Sequence, residues 1–276
     1  MKTPSNTTAV IQNNIEMDNL VIGNTSQLSG YFPEDYTKVS SRNIDYDLIV
    51  SKKWERAFLC FAEQRTFLRG NTEIFFDVNY SYTIDVINKI KPSCNKIYFY
   101  STILLWNAYE GAVDLSMPFK YSETPYIKSK EQITNYLMDN FGNVTVLFPC
   151  NFNSVFRKKG FLFKKIFDSI INKKKITIGN THFYKEMVHP RYVVKESLNA
   201  TDHEMIGSGY TINVNEFIRD LYNAFDLDYE SYVVENIESS DLIAKHNIYY
   251  TKKDKINYTK KDLLNDTVSE LVGLAP

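Results

Sequence analysis

The chain has 276 residues, of which 43% are hydrophobic and 14% aromatic, with a formal net charge of −1. That is enough apolar material to pack one large domain or two small ones. The near-neutral charge lacks the basic excess of a nucleic-acid or membrane-surface binder.

Residues 1–18 are polar and rich in Asn and Thr, without the apolar core of a signal peptide. They read as a tail or arm. No run of 18 apolar residues occurs anywhere, so no membrane span is expected. Cys60, Cys94 and Cys150 are far apart and form no Cys-x-x-Cys pair. They read as buried thiols of a protein in the reducing cytoplasm, not as a disulfide framework or zinc knuckle.

The first strand, Leu20-Val21-Ile22-Gly23, ends in glycine. A short helix is expected over 27–32, closed by Pro33, and a second strand over 38–40. The apolar run 56–62 suits a strand buried on both faces. Residues 77–90 have helical spacing, and Pro92 bars continuation. A strand over 96–100 ends at Ser101-Thr102. A helix over 126–141 is closed by Gly142-Asn143, and a strand follows over 143–148.

After Cys150 the rhythm weakens. Helices are expected over 156–172 and 215–225, with short strands over 176–178 and 210–214. Thr259 and Asp262 resemble a capping box that opens a final helix toward Leu271.

Strand and helix alternating at this rhythm predict an α/β fold with a doubly wound parallel sheet covered on both faces. Ligands bind such sheets outside the carboxyl ends of the strands. Gly23, Ser41 and Arg42, Ala62, Ser101 and Thr102, and Asn151 all fall there.

The segment from Gly23 through Thr25, Ser26, Gln27 and Leu28 to Gly30 joins the first strand to the first helix. A dinucleotide site needs a tight turn here, with helix-start N–H groups facing the pyrophosphate. Gly23 meets the first need, while Ser26 and Ser29 stand where glycine is usual. After the second strand, Ser41 and Arg42 favour a 2′-phosphate and hence NADP(H). Asp45, 22 residues after Gly23, is the competing residue and would suit NAD.

Tyr126 and Lys130 share a helix face at i and i+4. A phenol titrates near ~10, so a neighbouring cation is expected to lower it toward neutral pH. A hydroxyl from Ser101-Thr102 would hold the reacting oxygen. Together these make a proton-transfer device for carbonyl and alcohol chemistry. No His/Asp/Glu cluster has metal-ligand spacing.

These residues, in this order from about Leu20 to Phe225, resemble the extended short-chain dehydrogenase/reductase superfamily, of the nucleotide-sugar epimerase and ketoreductase type. The resemblance implies a Rossmann-type dinucleotide-binding domain over 19–149. It implies a smaller α/β substrate-binding region over 150–276, with segments near 182–193 and 206–225 returning to the cofactor domain. Thr102, Tyr126 and Lys130 take the family's catalytic positions. Phe61 and Ala62 lie under the cofactor, beside Gly23, Thr25, Ser26, Gln27, Leu28, Ser41 and Arg42. Tyr126 and Lys130 also touch the cofactor, and Ser101, Thr102, Asn151, Lys185 and Arg191 face the substrate.

The family's dehydratases carry an Asp-Glu pair after the catalytic threonine, where this chain has Ile103-Leu104. The expectation is therefore an NADP-dependent ketoreductase of a nucleotide-linked keto-sugar. An NAD-dependent epimerase is the alternative, and a non-enzymatic dinucleotide-binding protein the third reading. A homodimer is implied by the resemblance, with no nucleic-acid or membrane partner.

Overall fold

The structure is a computed structural model that describes residues 17–67, 72–236, 248–250 and 258–274. Of the expected N-terminal arm, residues 1–16 lie outside the described residues, and Asp18 already belongs to a strand.

Six strands form the central sheet: β1 (Asp18–Ile22), β2 (Thr37–Val39), β3 (Trp54–Leu59), β4 (Cys94–Tyr100), β5 (Val144–Pro149) and β6 (Glu204–Ile206). Their order is β2-β1-β3-β4-β5-β6. Every pairing is parallel. The order reverses between β1 and β3, and a ligand crevice forms at such a switch point.

Register makes the strand ends level. Ile22 faces Leu59, Leu59 faces Phe99, and Phe99 faces Val146. The ladder continues just past the strands, with Cys60 N–H donating to the Ile22 carbonyl at 2.8 Å and Ser101 N–H to that of Leu147 at 2.7 Å. Both faces of the sheet are covered, and all six residues of β5 are buried. A strand buried on both faces reads as a nearly continuous apolar run, and β5 has only Thr145 as a polar interruption.

A helical rod runs through Glu73–Phe76, Asp77–Tyr82 and Thr83–Ile90, with a π-helical middle. Next to it lies the helix Pro125–Asn140. Thr124 caps it by accepting from Ile127 N–H, and Pro125 occupies the first turn. Tyr126, Ile127, Lys130, Ile133, Thr134 and Leu137 bury one face of this helix, at the spacing of a helix laid on a sheet.

The second half of the chain is built from small pieces. Asn151–Phe152 pairs with Met187–Val188, Tyr184–Lys185 with Ile212–Asn213, and Ile176–Ile178 with Val233–Glu235. The helix Lys260–Val272 opens on the expected capping box, with Thr259 and Asp262 exchanging hydrogen bonds.

Two expected helices are corrected. The helix over 27–32 is a single 3-10 turn, Ser29–Tyr31, because the serines hold a turn of their own instead of extending a helix. The helix over 156–172 begins only at Leu162. Gly160 has φ +96°, a conformation no helix interior adopts, so residues 153–161 run as a loop. The strand over 210–214 shrinks to Ile212–Asn213, since Asn213 caps a helix that starts at Val214.

Candidate active site

A cleft of about 500 Å³ opens at the switch point. Gly23, Thr25, Ser26, Gln27 and Leu28 line it from β1. Ser41 and Arg42 do so from β2, Phe61 and Ala62 from β3, and Ser101 from β4. Gly23 is required there. Its φ is +111°, and a Cβ would lie 2.7 Å from the Cys60 carbonyl oxygen. Arg42 is exposed at the rim. Asp45 instead accepts from Leu48 N–H at 3.0 Å as a helix cap, so Arg42 is the charged residue that the β2 end presents to the cleft.

The first turn differs from expectation. Ser26 Oγ accepts from Ser29 N–H at 3.1 Å, and Ser29 Oγ donates to the Asn24 and Ser26 carbonyls at 2.8 and 3.0 Å. The Ser29 hydroxyl is thus spent within the turn, while the Ser26 hydroxyl accepts there and does not donate. A three-residue 3-10 segment has no helix macrodipole of consequence, because that field is the sum of many aligned peptides.

Thr102, Tyr126 and Lys130 stand together behind the Ser101 wall of the cleft. All three are buried. The Thr102 hydroxyl lies near enough to the Tyr126 phenol to pull its pKa down, and it also accepts from Leu104 N–H at 3.2 Å. Asn79 fixes the Tyr126 helix against the end of β3. Its side chain accepts from Glu63 N–H at 2.7 Å and donates to Ser129 Oγ at 3.1 Å, and Ser129 in turn donates to the Tyr126 carbonyl at 2.7 Å. Ser101 and Thr134 share a 2.6 Å hydroxyl contact that ties the same helix to β4.

The expected pairing of the Lys130 charge with the Tyr126 phenol is corrected. Lys130 Nζ donates to the Tyr100 carbonyl at 2.8 Å and lies 4.5 Å from the Phe99 ring centre. Burial pushes its pKa down to about 7, since desolvation penalises the ammonium. Burial pushes the Tyr126 phenol up to about 12, against the opposing pull of the Thr102 hydrogen bond and the Arg157 charge. At neutral pH Tyr126 is a proton donor.

Of the residues expected to face substrate, only Ser101 lines the cleft. Asn151 donates to the Glu186 carbonyl at 3.2 Å. Lys185 lies on a short strand, its pKa lowered by burial and by the charge of Arg157. Arg191 is exposed and pairs with Asp266 at 3.6 Å.

Sequence reasoning missed Arg157 and Lys158, which line the cleft beside the first turn. The Arg157-Lys158-Lys159-Gly160 run was their one signal. The Arg157 guanidinium carbon lies 3.8 Å from the Phe161 ring centre, and its Nε is buried without a partner. Arg65 makes an ion pair with Glu63, 2.9 Å from Nε to Oε1.

Glu270 was missed as well. Its carboxylate accepts from the Tyr31 hydroxyl, from Val155 N–H at 3.1 Å and from His189 Nε2 at 3.3 Å. Those bonds to the ionised form hold its pKa low although burial alone would raise it. His189, fully buried, also caps the helix Pro190–Asn199. One side chain thereby joins the first turn, the 153–161 loop and the segment entering that helix.

Among the described residues, no three His, Cys, Asp or Glu side chains form a metal-binding group, and no helix is long and apolar enough to cross a membrane. All three cysteines are buried and unbridged.

Solved structures share the whole architecture. A UDP-glucose 4-epimerase from Thermotoga maritima, solved with UDP-glucose, matches at TM-score 0.77 and 16% identity, over 94% of this chain and 100% of that one. The fold is Rossmann-type. The dTDP-glucose 4,6-dehydratase DesIV from Streptomyces venezuelae, a double mutant with NAD and DAU bound, matches at TM-score 0.73 and 14% identity, over 92% and 96%. RMD from Pseudomonas aeruginosa, complexed with NADPH, matches at 0.71 and 13%, over 93% and 99%. At these identities the likeness is one of fold, and the fold is the one that the resemblance to the extended short-chain dehydrogenase/reductase superfamily implied. No family model and no curated protein sequence matches the chain.

Proposed function

We propose that the chain is an NADP-dependent ketoreductase of a nucleotide-linked keto-sugar. The observation that carries this reading is Thr102 and Tyr126 buried together beside a cleft at the switch point of a parallel sheet. The cleft fits a dinucleotide. Gly23 lets backbone approach the ligand, Arg42 offers a cation where a 2′-phosphate would lie, and the orphaned Nε of Arg157 lacks an acceptor.

Bound NADPH would supply hydride to the sugar carbonyl. Tyr126, protonated at neutral pH, donates the proton to the developing alkoxide, which is the direction that reduction needs. Thr102 orients the Tyr126 hydroxyl and the carbonyl oxygen. Lys130 holds the helix to the end of β4 through the Tyr100 carbonyl. Burial of Thr102 and Tyr126 keeps bulk water from the transferred proton. Ile103-Leu104 offers no acid for an elimination, which disfavours dehydration.

The likeness to the Thermotoga maritima epimerase favours a second reading, an epimerase that recycles tightly held NAD. The test is the copurifying cofactor, followed by turnover with a 4-keto nucleotide sugar. Stoichiometric NADPH oxidation that Tyr126→Phe slows about 10³-fold is the expected result. Retained NAD, with isomerisation and no reductant consumed, would overturn the reductase in favour of the epimerase.

A further inference from the structure

A dinucleotide carries negative charge on its diphosphate, and the first turn of this chain offers that charge little. The Ser29 hydroxyl is committed within the turn, Ser26 has only its own O–H left to offer, and only three residues of 3-10 helix follow. The usual electrostatic partner, the start of a long helix, is missing.

A second segment stands in the same place. The loop 153–161 is pressed onto the first turn by several independent contacts. Ser154 N–H donates to Gln27 Oε1 at 3.1 Å, and the Phe156 ring lies 3.4 Å from where a Cβ on Gly30 would sit. Tyr31 and Phe156 meet edge to face at 6.1 Å, while Glu270 binds both Tyr31 and Val155 N–H. This seating aims Arg157 and Lys158 into the cleft that Ser26, Gln27 and Leu28 also line.

Among the described residues, neither cation has an ion-pair partner within bonding distance. Arg157 Nη1 reaches only Gln64 Oε1, at 3.4 Å, and Nε has no acceptor. Glu63, which the Lys158 charge reaches at longer range, is bound to Arg65. A planar guanidinium with a buried, unused donor is suited to a phosphate oxygen.

We propose that Arg157 and Lys158 hold the diphosphate of the dinucleotide, so that side-chain charge from the second half of the chain replaces the helix start of the first turn. The proposal rests on the dinucleotide reading above. A nucleotide sugar also carries a diphosphate, so the test separates the two sources.

Calorimetric titrations of the full chain with NADPH, ADP-ribose, 2′-AMP and UDP-glucose decide it. Arg157→Gln and Lys158→Gln each weaken NADPH and ADP-ribose about tenfold and make their binding less sensitive to salt. Neither changes the affinity for 2′-AMP, which lacks the diphosphate. Arg157→Lys keeps part of the affinity, and Lys159→Gln, exposed and outside the cleft lining, keeps all of it. Matched unfolding temperatures show that each variant is folded.

Unchanged affinity for NADPH and ADP-ribose in both Gln variants overturns the proposal. A loss confined to UDP-glucose also overturns it, because the cations then serve the sugar nucleotide. A parent chain that binds UDP-glucose but neither NADPH nor NADH is a separate outcome. It removes the dinucleotide reading itself, and this inference with it.

Discussion

Gly23, Cys60 and Ser101 reach one side of the cleft from strands whose registers agree from β1 to β5. Phe152, Arg157 and Lys158 line it from the second half of the chain, where ordered backbone is a loop and paired segments of two residues. There, placement depends on side chains. Glu270 gathers the loop, and Glu235 accepts from Tyr229 at 2.9 Å and from Asn215 at 2.9 Å. A ladder shares its positional precision among many backbone bonds, whereas a clasp concentrates it in one carboxylate. Three substitutions test that contrast.

The largest expected effect is at Lys130, deep on the strand-built side. Its folded form releases a proton near 7, while the unfolded chain keeps it to 10.5. Between those values the unfolded state binds more protons, so stability of the parent rises with pH, and the cost of the buried charge is fully present below 7. Lys130→Met removes that cost. Urea unfolding is expected to show the variant more stable by on the order of 4 kcal/mol at pH 6, with the gap closing toward pH 10.5. A gap that does not change with pH would show that the amine is hydrated in the folded protein.

Next is Gly23→Ala. The added Cβ meets the Cys60 carbonyl oxygen at 2.7 Å, on a backbone with φ +111°. Both atoms are anchored by the β1–β3 ladder, so relief requires a strand to move. About 3 kcal/mol of stability is expected to be lost, read as a lower urea midpoint. A loss below 1 kcal/mol would mean that the strand ends yield as readily as a loop.

The smallest is Glu270→Ala, at about 2 kcal/mol. It leaves the sheet ladder intact but strands the Tyr31 hydroxyl, Val155 N–H and His189. Amide exchange should quicken at 153–158 and stay slow in β1 and β3. Equal quickening in both would erase the distinction between the two sides.

The same contrast explains what could be read in advance. Buried parallel strands announce themselves by apolar runs, so the sheet, the Tyr126 helix and the strand-end residues from Gly23 to Ser101 were legible. The capping box at Thr259 was too, because its two partners are three residues apart. The shortened first helix was not, because whether Ser26 and Ser29 bond to each other or start a helix is decided by local geometry that composition does not carry. Arg157 and Glu270 were illegible for another reason. Each acquires its place from partners distant in sequence, Gln64 for the first and Tyr31 for the second. The direction of Lys130 was missed because a shared helix face allows Tyr126 and Lys130 to meet but does not oblige them to.

Glu270 and Tyr31 are 239 residues apart in the chain. Their bond gives the cleft a place in time as well as in space. During synthesis the parallel sheet can assemble as soon as β6 has emerged, and the Thr102–Tyr126 pair comes with it. The loop that carries Arg157 lacks its bond to Glu270 until the helix Lys260–Val272 arrives, so the Thr102–Tyr126 pair is placed early and this loop is fully seated late. A nascent chain halted before that helix would hold a folded sheet with Tyr126 in place, but a 153–161 loop without its Glu270 bond.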